Sequence, residues 1–168
     1  MKAAGVIVAV ASALALQTTL SRFLVRSTTA LDLVLVVVVY VALTSGPVTG
    51  LLTGTVAGLI QDALSSGVIG IGGLAKTVVG FLAGIIGTQF IVAQALPRFV
   101  VFFGATVLHA VIFIGLYVLL DLRHFGTPYA DVARQAVGNA VTGVVAFQLV
   151  ELLPGVERGR LQKTRPRR

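Results

Sequence analysis

The chain has 168 residues, of which 57% are hydrophobic and only 11% charged, with a mean hydropathy of +1.00. Soluble domains carry about 45–50% apolar residues and leave roughly a third of their chain surface in water, so this composition excludes an ordinary soluble fold and makes lipid the solvent for most side chains. Cysteine is absent, which removes disulfides, thiolate metal sites and a cysteine nucleophile, and the net charge of +7 is concentrated in a C-terminal run.

A membrane-spanning helix needs about 20 mostly apolar residues. By that measure the sequence divides into six expected spans, 3–22, 29–45, 46–65, 70–92, 97–121 and 128–152, within a domain of residues 1–154, followed by a basic cytoplasmic tail, 155–168. In the first, Lys2 precedes an apolar run that reaches Leu20, longer than the core of a signal peptide and suited to a span. Its alanine rows, Ala9 with Ala13 and Ala11 with Ala15, suit close helix packing.

The second span opens on Thr29 and Asp32, spaced like a capping box, with the carboxylate at the positive end of the helix. The valine-rich "LVLVVVVYV" that follows has strand propensity, but an isolated strand cannot cross a bilayer, so it is expected to be helical. Gly46-Pro47 separates the second and third spans, Pro97 and Thr127-Pro128 open the fifth and sixth, and Pro154-Gly155 closes the last.

The third and fourth spans carry matched glycine rows: Gly50, Gly54 and Gly58 followed by Asp62, and Gly72, Lys76, Gly80 and Gly84. An antiparallel hairpin turning near Ile69 would pair Asp62 with Lys76, Gly58 with Gly80 and Gly54 with Gly84, bringing the backbones close. Three readings of Asp62, Lys76 and the adjacent Gln61 stand open: an ion pair locking the hairpin, a polar patch docking a partner, or a transport or ligand site. Ser65 and Ser66 are turn residues rather than nucleophiles, and "GVIGIGG", with Gly67 and Gly70, is no phosphate loop. No metal-ligand spacing and no cofactor motif appears, so no enzyme is expected.

Among the remaining polar residues, His109 on its apolar face reads as a core or helix-contact residue, and Tyr40 and Tyr117 as packing or interfacial residues. Six spans put both termini on one side. Lys2, Arg98 and the six basic tail residues Arg158, Arg160, Lys163, Arg165, Arg167 and Arg168 outweigh Arg22, Arg26, Arg123 and Arg134, which places the termini in the cytoplasm. The tail itself reads as a topology anchor that can also grip anionic lipid; it lacks the aromatic interleaving of nucleic-acid binders.

"GTVAGLIQDALSSGVIGIGGLAKTVVGFLAG" (54–84) resembles the central segment of the MreD family of rod shape-determining membrane proteins: a glycine-striped helix, an Asp, a Leu-Ser-x-Gly turn, then a further glycine-bearing helix. The likeness extends to "LDLVLVVVVYVAL" (31–43) and to "YADVARQAVGNAV" (129–141), where Asn139 matches an Asn of the last span. Ala30 and Leu31 depart from a proline-containing pattern, and Lys76 falls at a variable position of the family. The resemblance implies an all-α integral membrane bundle with a fold like the S components of energy-coupling-factor transporters. It also implies a non-catalytic scaffold of cell elongation and peptidoglycan synthesis in the bacterial inner membrane, binding MreC and, through it, MreB, RodA and a class B penicillin-binding transpeptidase. The alternative it implies is an S component that binds a vitamin. The residues expected to set the functional surface are Gly54, Gly58, Gln61, Asp62, Gly67, Gly70, Lys76, Gly80, Gly84 and Asn139.

Overall fold

The computed structural model describes residues 3–23, 31–65, 67–90, 94–122 and 129–152. These form six helices and no strand: α1 (Ala3–Phe23), α2 (Leu33–Ser45), α3 (Pro47–Leu64), α4 (Ile71–Gln89), α5 (Ala95–Leu119) and α6 (Tyr129–Leu152). Three of them, α1, α4 and α5, are long and apolar enough to cross a membrane. The 13-residue α2 is apolar but shorter, starting at Leu33 rather than at 29. Lys2, Ser66, Thr127-Pro128, Pro154-Gly155, Thr29, Arg26, Arg123 and the basic tail lie outside the described residues, as does the side chain of Arg22.

α2 lies at the centre of the bundle. It is the axis of the bundle, touching all five other helices, and Val34, Leu35, Val36, Val38, Val39, Val41 and Ala42 are all buried. A helix apolar on every side belongs in a core, which accounts for the valine run as packing rather than strand propensity. One cluster joins Leu35, Val36 and Val39 to Val79 and Ala83 of α4, Phe102 and Ala105 of α5, and Ala140 and Phe147 of α6. A second joins Val34 and Val38 to Ala13 and Leu14 of α1 and Ala57 of α3. Ala13 is the alanine of the expected rows that packs inward, whereas Ala11 and Ala15 are exposed.

The α3/α4 hairpin is held by glycine, in a register different from the expected one. A Cβ at Gly50 would strike the backbone of Gly80, one at Gly54 the carbonyl of Lys76, one at Gly58 the Cα of Gly73, and one at Gly84 the backbone of Pro47. Gly80 therefore meets Gly50 and not Gly58, a slip of about two helical turns. The cause is that α3 overshoots the head of α4. Before α4 begins, the Val68 amide donates to Tyr117 Oη of α5 at 3.3 Å.

At the bundle end shared with the C-terminus of α6, Arg98 is buried, forms a two-pronged pair with Glu151 at 2.7 and 2.9 Å, and lies 4.3 Å over the Phe147 ring. Tyr40 meets the same ring edge-on at 4.6 Å, a packing role.

Candidate functional site

The polar residues gather around the start of α2, against the middle of α5 and α6. Asp32 is the N-cap of that helix: its Oδ1 accepts from the Leu35 amide at 2.9 Å. Such a side-chain oxygen satisfies one of the amides that a helix start leaves unpaired. The same carboxylate binds Lys76 of α4, with Nζ 2.8 Å from Oδ2, and both residues are almost fully buried, at 5% and 3% exposure.

This overturns the expected Asp62–Lys76 pair. Lys76 sits on the glycine row with its backbone against Gly54, but its ammonium reaches to α2 and to His109 of α5, whose Nε2 is 3.2 Å away. An ammonium only donates, so that Nε2 is the acceptor and the ring proton sits on Nδ1. His109 is thus a helix-contact residue tied into a charged network, 7% exposed.

Asp62 has a separate task. Its Oδ2 accepts from the amides of Gly70 and Gly73, at 2.9 and 3.0 Å, so the carboxylate answers the positive end of α4. Gly70 is the N-cap of α4 with φ of +108°, a conformation that favours glycine, and a Cβ at Gly72 would push against the Asp62 carboxylate. Gly67 lies near Tyr117, on the rim of the same region.

Asn139 of α6 is fully buried; its Oδ1 accepts from the Asp32 amide at 2.9 Å and its Nδ2 donates to Thr106 Oγ1 of α5 at 3.2 Å. Gln17 of α1 clasps the same stretch, donating to the Leu31 carbonyl and accepting from the Leu33 amide, both at 2.9 Å. Gln61 of α3 approaches Asp32 Oδ1 at 3.4 Å. Residues 31–33 are therefore gripped by side chains from α1, α3, α4 and α6. Ser65 donates to the Gln61 carbonyl at 2.6 Å, a turn contact. Among the described residues, no three His, Asp or Glu side chains gather as a metal site.

The segments that make this junction, 31–43, the Asp62 turn and Asn139, are those in which the sequence resembles the MreD family. A family model described as rod shape-determining protein MreD matches residues 2–153, nearly the whole chain. The chain belongs to the MreD family. No curated protein and no solved structure matches it. As an MreD family member with three long apolar helices, it is a rod shape-determining membrane protein. The glycine rows of the hairpin are used inside the subunit, because Gly54, Gly58, Gly80 and Gly84 all face backbone of the neighbouring helix.

Asp32, His109, Thr106 and Gln17 are the members of the junction that the sequence reading did not join to Lys76. Asp32 carried a signal as an acidic residue at the head of an otherwise apolar helix, and His109 as a lone polar residue on an apolar face.

Proposed function

We propose that this MreD family protein is a non-catalytic scaffold of the cell-elongation machinery. In this reading all six helices span the bacterial inner membrane with both termini in the cytoplasm. The protein binds MreC through helix contacts and, through MreC, connects to MreB, RodA and a class B penicillin-binding transpeptidase. Family membership carries the reading and favours it over a vitamin-binding transport component.

The packing supports one choice of partner surface. The glycine rows are consumed between α3 and α4, so we assign the partner to the apolar strip Val48, Leu52, Val56 and Leu59, exposed on α3 at helical spacing, although Leu74, Phe81 and Leu82 of α4 are exposed as well. Its chemistry suits either lipid or a second transmembrane helix. The polar side chains, by contrast, are engaged in holding helices together, which supports a structural role.

The test is affinity purification of the tagged protein from native membranes in mild detergent, with co-purifying chains identified by mass spectrometry. Recovery of MreC, reduced by Leu52→Asn and Val56→Asn, supports the scaffold reading and its surface. Recovery of a transport ATPase with a membrane coupling subunit would overturn it.

A further inference from the structure

A cavity of about 460 Å³ opens beside the Asp32–Lys76 pair, between the C-terminal end of α3 and α4, α5 and α6. Asp32, Lys76 and His109 line it from the buried interior, and Ser65, Gly67 and Asp131 form an exposed rim. The volume is within the roughly 300–1,000 Å³ of small-molecule sites. We propose that the cavity binds a small organic ammonium ion, its charge at the Asp62 carboxylate and its carbon substituents on the Phe113 and Tyr117 rings.

The charge of the wall selects a cation. Asp32 is paired with Lys76, and Asp131 with Arg134 at 3.0 Å, so each of these carboxylates has a counter-charge. Asp62 has none, since no basic side chain among the described residues pairs with it. Its hydrogen bonds from the Gly70 and Gly73 amides both fall on Oδ2, and Oδ1 accepts none among the described residues. A helix start carries only about half an elementary charge, so α4 leaves roughly half of the carboxylate's charge unanswered. Asp62 is partly exposed and lines the cavity, which opens that charge to a ligand. An anion finds no such partner: Lys76 is 3% exposed, with its ammonium against Asp32 and His109.

The rings select an organic cation. Phe113 and Tyr117 of α5 stand with ring centroids 4.8 Å apart, both half-buried on the cavity wall. Aromatic faces attract ammonium groups through the ring quadrupole and pack against their carbon substituents. A hard metal ion wants several oxygen ligands, and no three His, Asp or Glu side chains gather among the described residues. A neutral ligand leaves the Asp62 charge unanswered, and a lipid headgroup brings a phosphate for which the described wall has no unpaired cation. The site is separate from the apolar strip of α3 and stands or falls independently of the scaffold reading.

The experiment is saturation-transfer NMR on the purified full chain in nonionic detergent, referenced to empty micelles. Benzylammonium and benzyltrimethylammonium are the probes, with benzyl alcohol and benzoate as neutral and anionic controls of similar shape. Transfer to one or both cations above that to either control is the expected result. Asp62→Asn, which keeps an acceptor oxygen for the α4 amides, should weaken cation binding about tenfold or more, the scale of a lost charge-assisted hydrogen bond. Gly67→Phe, which obstructs the mouth from an exposed position outside the Asp32 network, should weaken it as well, and melting temperatures show whether each variant is folded. No transfer to either cation overturns the proposal, as does equal transfer to a control. Cation binding undiminished in a folded Asp62→Asn or Gly67→Phe variant overturns it too. Displacement of the probe by a short-chain phosphatidylethanolamine but by no free amine would assign the site to a lipid headgroup and likewise overturn it.

Discussion

Lys76 and Asp32 meet at 2.8 Å inside the bundle, joining the glycine hairpin to the central helix α2. Charged side chains buried in a membrane protein cost about 2.5–3.5 kcal/mol each on insertion scales unless they find partners, and here each has several. Lys76 has Asp32 and His109; Asp32 has Lys76, the Leu35 amide and Gln61. The pair is consequently a junction between α2, α4 and α5 rather than a clasp at the hairpin turn.

Removing one partner should hurt more than removing both. Asp32→Leu or Lys76→Met alone leaves a buried uncompensated charge and is expected to destabilise by about 3–5 kcal/mol, while the double variant recovers much of that loss. Unfolding titrations in detergent check it through the double-mutant coupling. The same cycle on Asp62 and Lys76 is expected to show little direct coupling.

The hairpin register is testable because the chain has no native cysteine. Thr55 and Thr77 hydroxyls lie 2.8 Å apart across the interface, so oxidation of the Thr55→Cys/Thr77→Cys variant should give an internal disulfide. Thr55→Cys/Ala83→Cys, paired in the register centred on Ile69, should not. Peptide mass mapping after oxidation distinguishes the two.

Glycine substitutions should divide sharply by position. Gly54→Leu drives a side chain into the Lys76 carbonyl and is expected to cost about 1–3 kcal/mol or more by overpacking. Gly104→Ala and Gly115→Ala meet nothing within 4 Å and should leave the melting temperature unchanged or raise it. Melting curves of the three variants in the same detergent make the comparison.

Asp62 should act locally, at the head of α4. Asp62→Ala is expected to cost about 0.5–2 kcal/mol, the range of lost helix-start hydrogen bonds, and to speed hydrogen exchange at the Gly70 and Gly73 amides. Asp62→Asn, which keeps an acceptor oxygen, should restore part of the protection.

Much of the helical layout was legible because apolar length and proline placement are local properties. Gly46-Pro47 divides α2 from α3, and Pro97 lies in the first turn of α5. The glycine rows marked the α3/α4 interface for the same reason: the i, i+4 repeat is written along each helix. Register was not legible, since it depends on how far α3 overshoots α4 and on where Val68 is fastened to α5, and neither leaves a periodic trace. The partner of Lys76 was hidden for a related reason. Asp32 is remote in sequence and had an adequate local explanation as a cap, a task it performs while also binding the ammonium. Asn139 could be singled out by its family resemblance, but its two hydrogen bonds, to α2 and α5, belong to the assembled bundle.

The most direct test of a shape-determining subunit organised by this junction is to replace the chromosomal gene with Asp32→Leu, Lys76→Met and the double variant, then measure cell length-to-width ratio at matched membrane levels of the protein. The account predicts rounded cells for each single variant and a return toward rods for the double, because the paired loss leaves no buried charge. Rods in both single variants, or a double variant no better than the worse single one, would contradict it.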